Sequence, residues 1–315
     1  MKQIRKPEVF VLLMGGLGNQ LFQASAGTYY GSSDIYLISN LANATKNRNG
    51  QAEIFELALP EKLKECEFES IGVFTQKLIN YSIRLSTNRR SNRHVILEKM
   101  LTFLLSKNLK RKIYVRISDN VGYSQSIQKS EESMLLIGYF QSWIYAETLI
   151  NSCNNNKLEL KIMTRNFLDS KTLIPKTKWR LVHVRLGDYL TNGDFGLLSP
   201  MYFIKQIELQ NSNRRMPTLV FTNDKYKLEE INSNLSKHAS ELDENLSSAE
   251  LLILCSFASN FIISNSTFSW WAAFISCHGG IDVIAPEPWF RYANSPLELI
   301  PPHWARSMSV YQELK

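Results

Sequence analysis

The segment Leu181-Val182-His183-Val184-Arg185-Leu186-Gly187-Asp188-Tyr189 brings an imidazole, a guanidinium and a carboxylate close together in the chain. Strand alternation places His183 and Arg185 on one face and Val182 and Val184 on the other. Side by side, an imidazole and a guanidinium make a donor-rich anion site. The planar fork of Arg185 suits a diphosphate, because it makes two charge-assisted bonds at once. A structural Arg185–Asp188 ion pair beside a core histidine is the alternative. A second cluster, Ser264-Asn265-Ser266-Thr267, lies between the apolar run Ile262-Ile263 and the apolar stretch Phe268-Ser269-Trp270-Trp271-Ala272-Ala273. Hydroxyl and amide groups at a strand-to-helix junction are the makings of a phosphate-binding helix N-terminus, and equally of a simple cap. The two tryptophans fit core packing better than a sugar platform.

Two further clusters are less specific. In Val220-Phe221-Thr222-Asn223-Asp224 a buried strand ends in polar groups, and Asp224 could hold a ribose hydroxyl or a purine donor edge, or cap the next helix. In Gly15-Gly16-Leu17-Gly18-Asn19-Gln20 the glycines allow close backbone approach to a ligand, and the helix that follows offers N–H groups to a phosphate or a sugar hydroxyl. The spacing is not G-x-G-x-x-G, and a plain turn capped by Asn19 fits as well.

These clusters need strands and helices to hold them. Glu8 to Met14 is an apolar run closed by glycines, Gln20 to Tyr30 suits a helix, and Asp34 to Ser39 a second strand. Strand, loop, helix and strand in that order make a βαβ unit with a parallel sheet. From Gln51 to Met134 the stretch is expected to be mostly helical, and Met134 to Phe140 is a strand followed by a helix at Trp143 to Ile150. Alternation then resumes. Strands are expected at Arg180 to Arg185, Thr218 to Thr222, Phe261 to Ser264 and Ile281 to Ala285. Helices are expected at Met201 to Gln210, Tyr226 to Leu235, Ser248 to Cys255 and Phe268 to Cys277. Ligands in such sheets settle beyond the carboxyl ends of the strands, where all four clusters fall. The polar stretch Asn151 to Lys157 marks a junction, giving domains 1–150 and 151–315.

The bulk properties agree. A chain of 315 residues is about right for two domains, and 44% hydrophobic with 21% charged residues excludes wholesale disorder. A formal charge of +7 favours an anionic partner. Much of the excess lies between Arg84 and Arg116, including Arg89, Arg90, Arg93 and Lys107, which suits a solvated helical face or attraction to an anionic membrane. Nucleic acid is not expected, because the basic residues lack an interleaved aromatic platform and no nucleic-acid motif occurs. Cys66, Cys153, Cys255 and Cys277 are scattered and should be reduced thiols. The apolar run after Met1 is too short for a signal peptide. The uncharged stretch Leu251 to Cys277 is too rich in Ser and Asn for a membrane span, so a cytoplasmic protein is expected. No D-x-D, H-E-x-x-H, Walker loop or G-x-S-x-G occurs, so neither a metal nor an organic cofactor is expected.

Taken in chain order, the segments GGLGNQLFQ (Gly15 to Gln23), GYFQSWIY (Gly138 to Tyr145), HVRLGDY (His183 to Tyr189), LSPMYF (Leu198 to Phe203), VFTNDK (Val220 to Lys225) and ISNSTFSWWAAF (Ile263 to Phe274) resemble glycosyltransferase family 11, the α-1,2-fucosyltransferases. The resemblance implies an α/β fold of GT-B type, two Rossmann-like domains facing across a cleft. The first would lie on the acceptor side and the second would bind GDP-fucose. It further implies metal-independent, inverting transfer of L-fucose to the 2-hydroxyl of a galactose or related sugar. The alternatives are another hydroxyl, another GDP-sugar, or a silent nucleotide-sugar-binding protein. By position, His183, Arg185 and Asp188 resemble the donor-binding motif, with Arg185 on the diphosphate. Asp224 resembles a nucleoside contact, Ser266 and Thr267 beside Asn265 resemble phosphate contacts, and Asn19 lies in a loop that reaches the donor. Asp188 and Asp194 are both candidates for the general base. The acceptor expected is a galactose-terminated glycan, lipid-linked at the inner membrane face if the protein is cytoplasmic. The family usually carries a second Arg where this chain has Leu186. That side chain should lie opposite Arg185, and an Arg there is expected to be tolerated if the position reaches solvent.

Overall fold

The computed structural model describes residues 6–68, 71–186, 195–213, 216–222, 229, 233–236, 246–276 and 282–312. The chain divides into two compact units, Met1–Lys161 with Pro296–Leu299, and Ile162–Ser295 with Ile300–Lys315. The division falls at 161/162 rather than at 150/151. Residues 157–161 stay with the first unit because Leu160 bridges Leu57, Ala58 donates its N–H to Glu159, and Lys161 donates to Glu56.

The first unit is a parallel five-stranded sheet in the order β3-β2-β1-β5-β4. Its strands are β1 (Val9–Leu12), β2 (Ile35–Ile38), β3 (Leu63–Cys66), β4 (Tyr114–Ile117) and β5 (Met134–Ile137). Central β1 and β5, VFVL and MLLI, are buried throughout, as parallel strands covered on both faces must be. Helices α1 (Leu17–Tyr30) and α4 (Trp143–Ser152) cover one face. A Cβ on Gly27 of α1 would meet Val11 Cγ2 at 2.7 Å and Ile35 Cγ2 at 2.9 Å, so this helix lies on the sheet more closely than any side chain would allow. Helices α2 (Val73–Leu85) and α3 (Asn92–Asn108) cover the other face, where Ile79, Leu85, Leu97, Leu101 and Leu105 share a core with Phe10 and Leu12.

The second unit is also a parallel five-stranded sheet, in the order β10-β9-β8-β6-β7. Its strands are β6 (Arg180–Val184), β7 (Thr218–Thr222), β8 (Asn260–Ile262), β9 (Asp282–Glu287) and β10 (Ala305–Met308). Among the described residues its longer helices are α5 (Arg165–Leu173), α6 (Pro200–Asn213), α7 (Ser248–Cys255) and α8 (Thr267–Phe274), with one further helical turn at Ser233–Ser236. Each unit thus has the Rossmann-like plan that a GT-B chain requires.

The stretch from Gln51 to Met134 is not mostly helical as expected, since it also contributes β3 and β4. Both are edge strands, and β4 alternates half-buried Tyr114 and Arg116 with buried Val115 and Ile117, a pattern weaker than that of a central strand. β10 was equally hidden, because it is short, half polar and mostly exposed. Most of the helix expected at Tyr226 to Leu235 lies outside the described residues.

Candidate active site

In each sheet the chain first builds toward one edge and then returns to the other side of its starting strand. The reversal leaves a crevice at the carboxyl ends of two adjacent strands, where open α/β sheets bind ligands. In the second unit those strands are β6 and β8, and the two strongest sequence clusters meet there. His183 of β6 bonds through Nδ1 to Ser264 Oγ just past β8, at 3.1 Å. The imidazole stacks on Phe221 of β7, centroids 5.2 Å apart, and tilts against Phe268 of α8. It is 1% exposed, and burial, reinforced by the charge of Arg185, pushes its pKa down to about 3. His183 is therefore neutral, and the positive charge of the pair is that of Arg185 alone. The imidazole ties the two strands together at the reversal point.

Arg185, the residue after β6, is half-buried, and its charge reaches the imidazole. Leu186 does lie on the face opposite, but it reaches no solvent. It is 1% exposed and packs with Val182, Val184, Leu197, Tyr202 and Ile262. The condition for tolerating an Arg there is not met.

Past β8, Asn265 is buried and donates Nδ2 to the carbonyls of Phe195 at 3.0 Å and Gly196 at 3.1 Å, so it anchors the loop that returns from the β6 end. Ser266 is the N-cap residue of α8, yet its side chain makes no capping hydrogen bond. The contrast with other helices is informative. Ser142 caps α4, Thr164 caps α5, and Ser247 with Glu250 forms a capping box on α7. Simple capping thus does not account for the hydroxyl cluster. A positive helix end beside an arginine suits an anion of two phosphates. Trp270 and Trp271 are fully buried and belong to the core, as expected.

The first unit reverses between β1 and β5. Gly15 adopts φ +72 and starts the loop. Gln23 accepts from Met14 N through Oε1 and donates back to Met14 O, while Gln20 donates to Gly15 O and Thr45 O and accepts from Ile54 N. Both glutamines of GGLGNQLFQ therefore hold the loop shape. The cap of α1 is Gly16, not Asn19. The carboxylate of Glu53 accepts from Leu17 N at 2.9 Å, which places a negative charge at this helix end and disfavours the phosphate expected there. Asn19 faces β5 instead, accepting from Gln141 Nε2 at 3.1 Å. Beside it, a cavity of about 560 Å³ at the ends of β1 and β2 is lined by Gly15, Asn43, Gln76, Asn80 and Tyr139, among others. Burial raises the Tyr139 phenol above its ordinary pKa. The lining also includes Arg84, and amides, a guanidinium and an aromatic ring around such a space can bond sugar hydroxyls. Gln141 and Tyr139 lie within the GYFQSWIY segment, but nothing local to that segment distinguished them as site residues.

Asp188, Asp194 and Asp224 lie outside the described residues. Among the described residues no group of three His, Cys, Asp or Glu side chains could hold a metal ion. Cys66, Cys153 and Cys255 are free thiols, and burial pushes Cys153 up to about 11 and Cys255 up to about 12, which removes them as nucleophiles at neutral pH.

The family model of glycosyl transferase family 11 matches residues 8–295. An alpha-1,2-colitosyltransferase of Escherichia coli is 28% identical over 321 residues, covering 95% of this chain and 98% of the relative. The O-antigen biosynthesis glycosyltransferase WbnK of Escherichia coli is 24% identical over 312 residues, covering 91% and 96%. Among solved structures, fucosyltransferase NodZ from Bradyrhizobium superposes with a TM-score of 0.46 at 12% identity, covering 86% of this chain and 94% of its own.

Proposed function

Since the chain belongs to glycosyltransferase family 11, we propose that it transfers L-fucose from GDP-fucose, with inversion, to the 2-hydroxyl of a galactose or related sugar in a glycan. The observation that carries the reading is the β6/β8 reversal point, where Arg185 and the N-terminus of α8, without a side-chain cap, stand at one end of two strands joined by His183 and Ser264. In the reaction the C1–O bond to the diphosphate breaks and its electron pair leaves with GDP. The acceptor oxygen bonds to C1 from the opposite face and loses its proton to a general base, for which Asp188 and Asp194 are the candidates. Positive charge develops on the sugar ring and negative charge on the leaving phosphate, so donors aimed at that phosphate contribute most. Arg185 with the Ser266–Thr267 end of α8 would supply them without a metal. The cavity of the first unit, lined by Asn40, Asn43, Gln76, Asn80, Arg84 and Tyr139, supports an acceptor role for that unit.

A second donor reading is favoured by the colitosyltransferase relative. Colitose is L-fucose without its 3-hydroxyl, so a single donor hydroxyl separates the two readings. A site that bonds that hydroxyl should reject the deoxy sugar by on the order of 10⁴-fold, because its own polar groups would be left unpaired. Measuring kcat/KM for GDP-fucose and GDP-colitose against a panel of soluble galactosides decides the donor. Transfer from GDP-fucose to a galactose 2-hydroxyl supports the proposal. Transfer from GDP-colitose alone replaces fucose in it, and transfer from neither, with any galactoside, overturns it.

A further inference from the structure

The positive charge of this protein is concentrated on one surface of the first unit. Residues 71–116 carry eleven Lys and Arg against one acid, Glu98, so the rest of the chain, with 25 basic and 28 acidic residues, is net negative. Glu98 reaches the wall of the groove beside α3 but is buried, its carboxylate forked by Arg90 at 2.6 and 2.8 Å. Helix α3 sorts its side chains accordingly. His94, Leu97, Leu101 and Leu105 face the core, and on the opposite side Ile96, Met100 and Phe103 recur at i, i+4 and i+7, with Lys99 and Lys107 interleaved. The apolar side chains are laid open, Ile96 at 58% and Phe103 at 68% exposed. Helix α2 repeats the arrangement. Its core face is Ile79, Ser82 and Leu85, and its outer side carries Val73, Phe74 and Tyr81 with Lys77 between them. Because both helices pack on the same core cluster, their outer sides form one surface. Between α3 and edge strand β4 this surface holds a groove of about 840 Å³, lined by Val95 and Phe103 together with Lys99, Lys107, Lys110 and Arg116.

A solvated helical face would carry charges of both signs and few large apolar groups, and this one does neither. Apolar side chains ringed by lysine and arginine, with no exposed acid on either helix, match the headgroup and acyl boundary of an anionic bilayer. There the rings and aliphatic chains enter and the cations meet lipid phosphates. No helix among the described residues is long and apolar enough to cross a membrane, so the contact would be peripheral. We propose that the outer surface of α2 and α3, with the adjoining groove, is a docking site for an anionic lipid bilayer. This inference does not depend on which sugar the protein transfers.

Cosedimentation of the full chain with vesicles tests it, using phosphatidylcholine alone and phosphatidylcholine with about 30% phosphatidylglycerol. The protein should sediment with the anionic vesicles and stay in solution with the neutral ones. Two double variants, Lys99→Glu with Lys107→Glu and Ile96→Ser with Phe103→Ser, should each lower partitioning at least about tenfold. Both change exposed side chains outside the proposed reaction site, so transfer to a soluble galactoside and the circular dichroism spectrum should be unchanged. Failure of wild-type protein to sediment with anionic vesicles would overturn the proposal, as would sedimentation that neither variant weakens. So would self-association in the absence of lipid that the Ile96→Ser, Phe103→Ser variant abolishes, since the surface would then serve a second copy of the chain.

Discussion

Arg185 follows directly on β6, and the shape of its side chain matters as much as its charge. Replacing it with Lys keeps the charge and removes the planar two-point contact, so the single-turnover transfer rate should fall by on the order of 100- to 1000-fold, with Arg185→Ala at least as damaging. Urea denaturation of both variants should stay close to wild type, because Arg185 lies past the strand and outside the apolar cluster. A transfer rate for Arg185→Lys near that of wild type would move the leaving-group role elsewhere. The next residue behaves oppositely. Leu186→Arg would put an unpaired guanidinium among Val182, Val184 and Tyr202, and the expected loss is about 3 to 5 kcal/mol in urea denaturation. A variant of wild-type stability would mean that the side chain escapes the core. His183 makes a pH-dependent contribution. Its folded pKa of about 3 lies below the ordinary value of 6.5, so its contribution to stability is complete above pH 6.5 and is lost as pH falls from there toward 3. His183→Asn should show a shallower loss of urea midpoint between pH 7 and pH 4 than wild type. Parallel curves would contradict the buried neutral imidazole.

At the scale of the element, α1 and α8 begin at the corresponding reversal points of their sheets but end up chemically different. Glu53 neutralises the positive end of α1, whereas the end of α8 meets neither a carboxylate nor a side-chain cap among the described residues. A helix end left in this state gives up stability that a cap would contribute, about 1 kcal/mol, and keeps its field for a ligand. Thr267→Asp would place a carboxylate in the first turn of α8. Thermal stability without ligand should rise slightly, by about 0.3 to 1 kcal/mol, while GDP affinity measured by calorimetry falls at least about tenfold. Unchanged GDP affinity would remove the α8 terminus from the diphosphate site. The difference between the helices also explains what could be read in advance. Ser264 to Thr267 are contiguous and sit on a strand-to-helix junction, so their placement was legible in the sequence. The carboxylate at the start of α1 comes from a residue 36 positions away on a 3-10 turn, Glu53–Glu56, and no local pattern announces it.

At the scale of the whole molecule, the two parallel sheets followed from apolar runs such as MLLI in β5 and from glycine and polar residues at their ends. The edge strands did not, since half the side chains of β3 and β10 are polar, most are exposed or half-buried, and the sheet partners supply what their own residues lack. The unit boundary was hidden for a similar reason, because the pairing of Leu160 with Leu57 is a tertiary contact. What could be read from the sequence is that His183, Arg185 and Ser264 to Thr267 lie at the carboxyl ends of β6 and β8, where strand periodicity and chain order bring the motifs to one end of the sheet. The proposed reaction requires the carboxyl ends of β6 and β8 to release GDP from a GDP-sugar by means of Arg185 and a helix end. The most direct test is the rate of GDP release from GDP-fucose by the purified chain, with a galactoside acceptor and EDTA in excess. The expected rate equals that without EDTA, with an α-1,2-linked product by NMR. Loss of GDP release that Mn²⁺ or Mg²⁺ restores would contradict it.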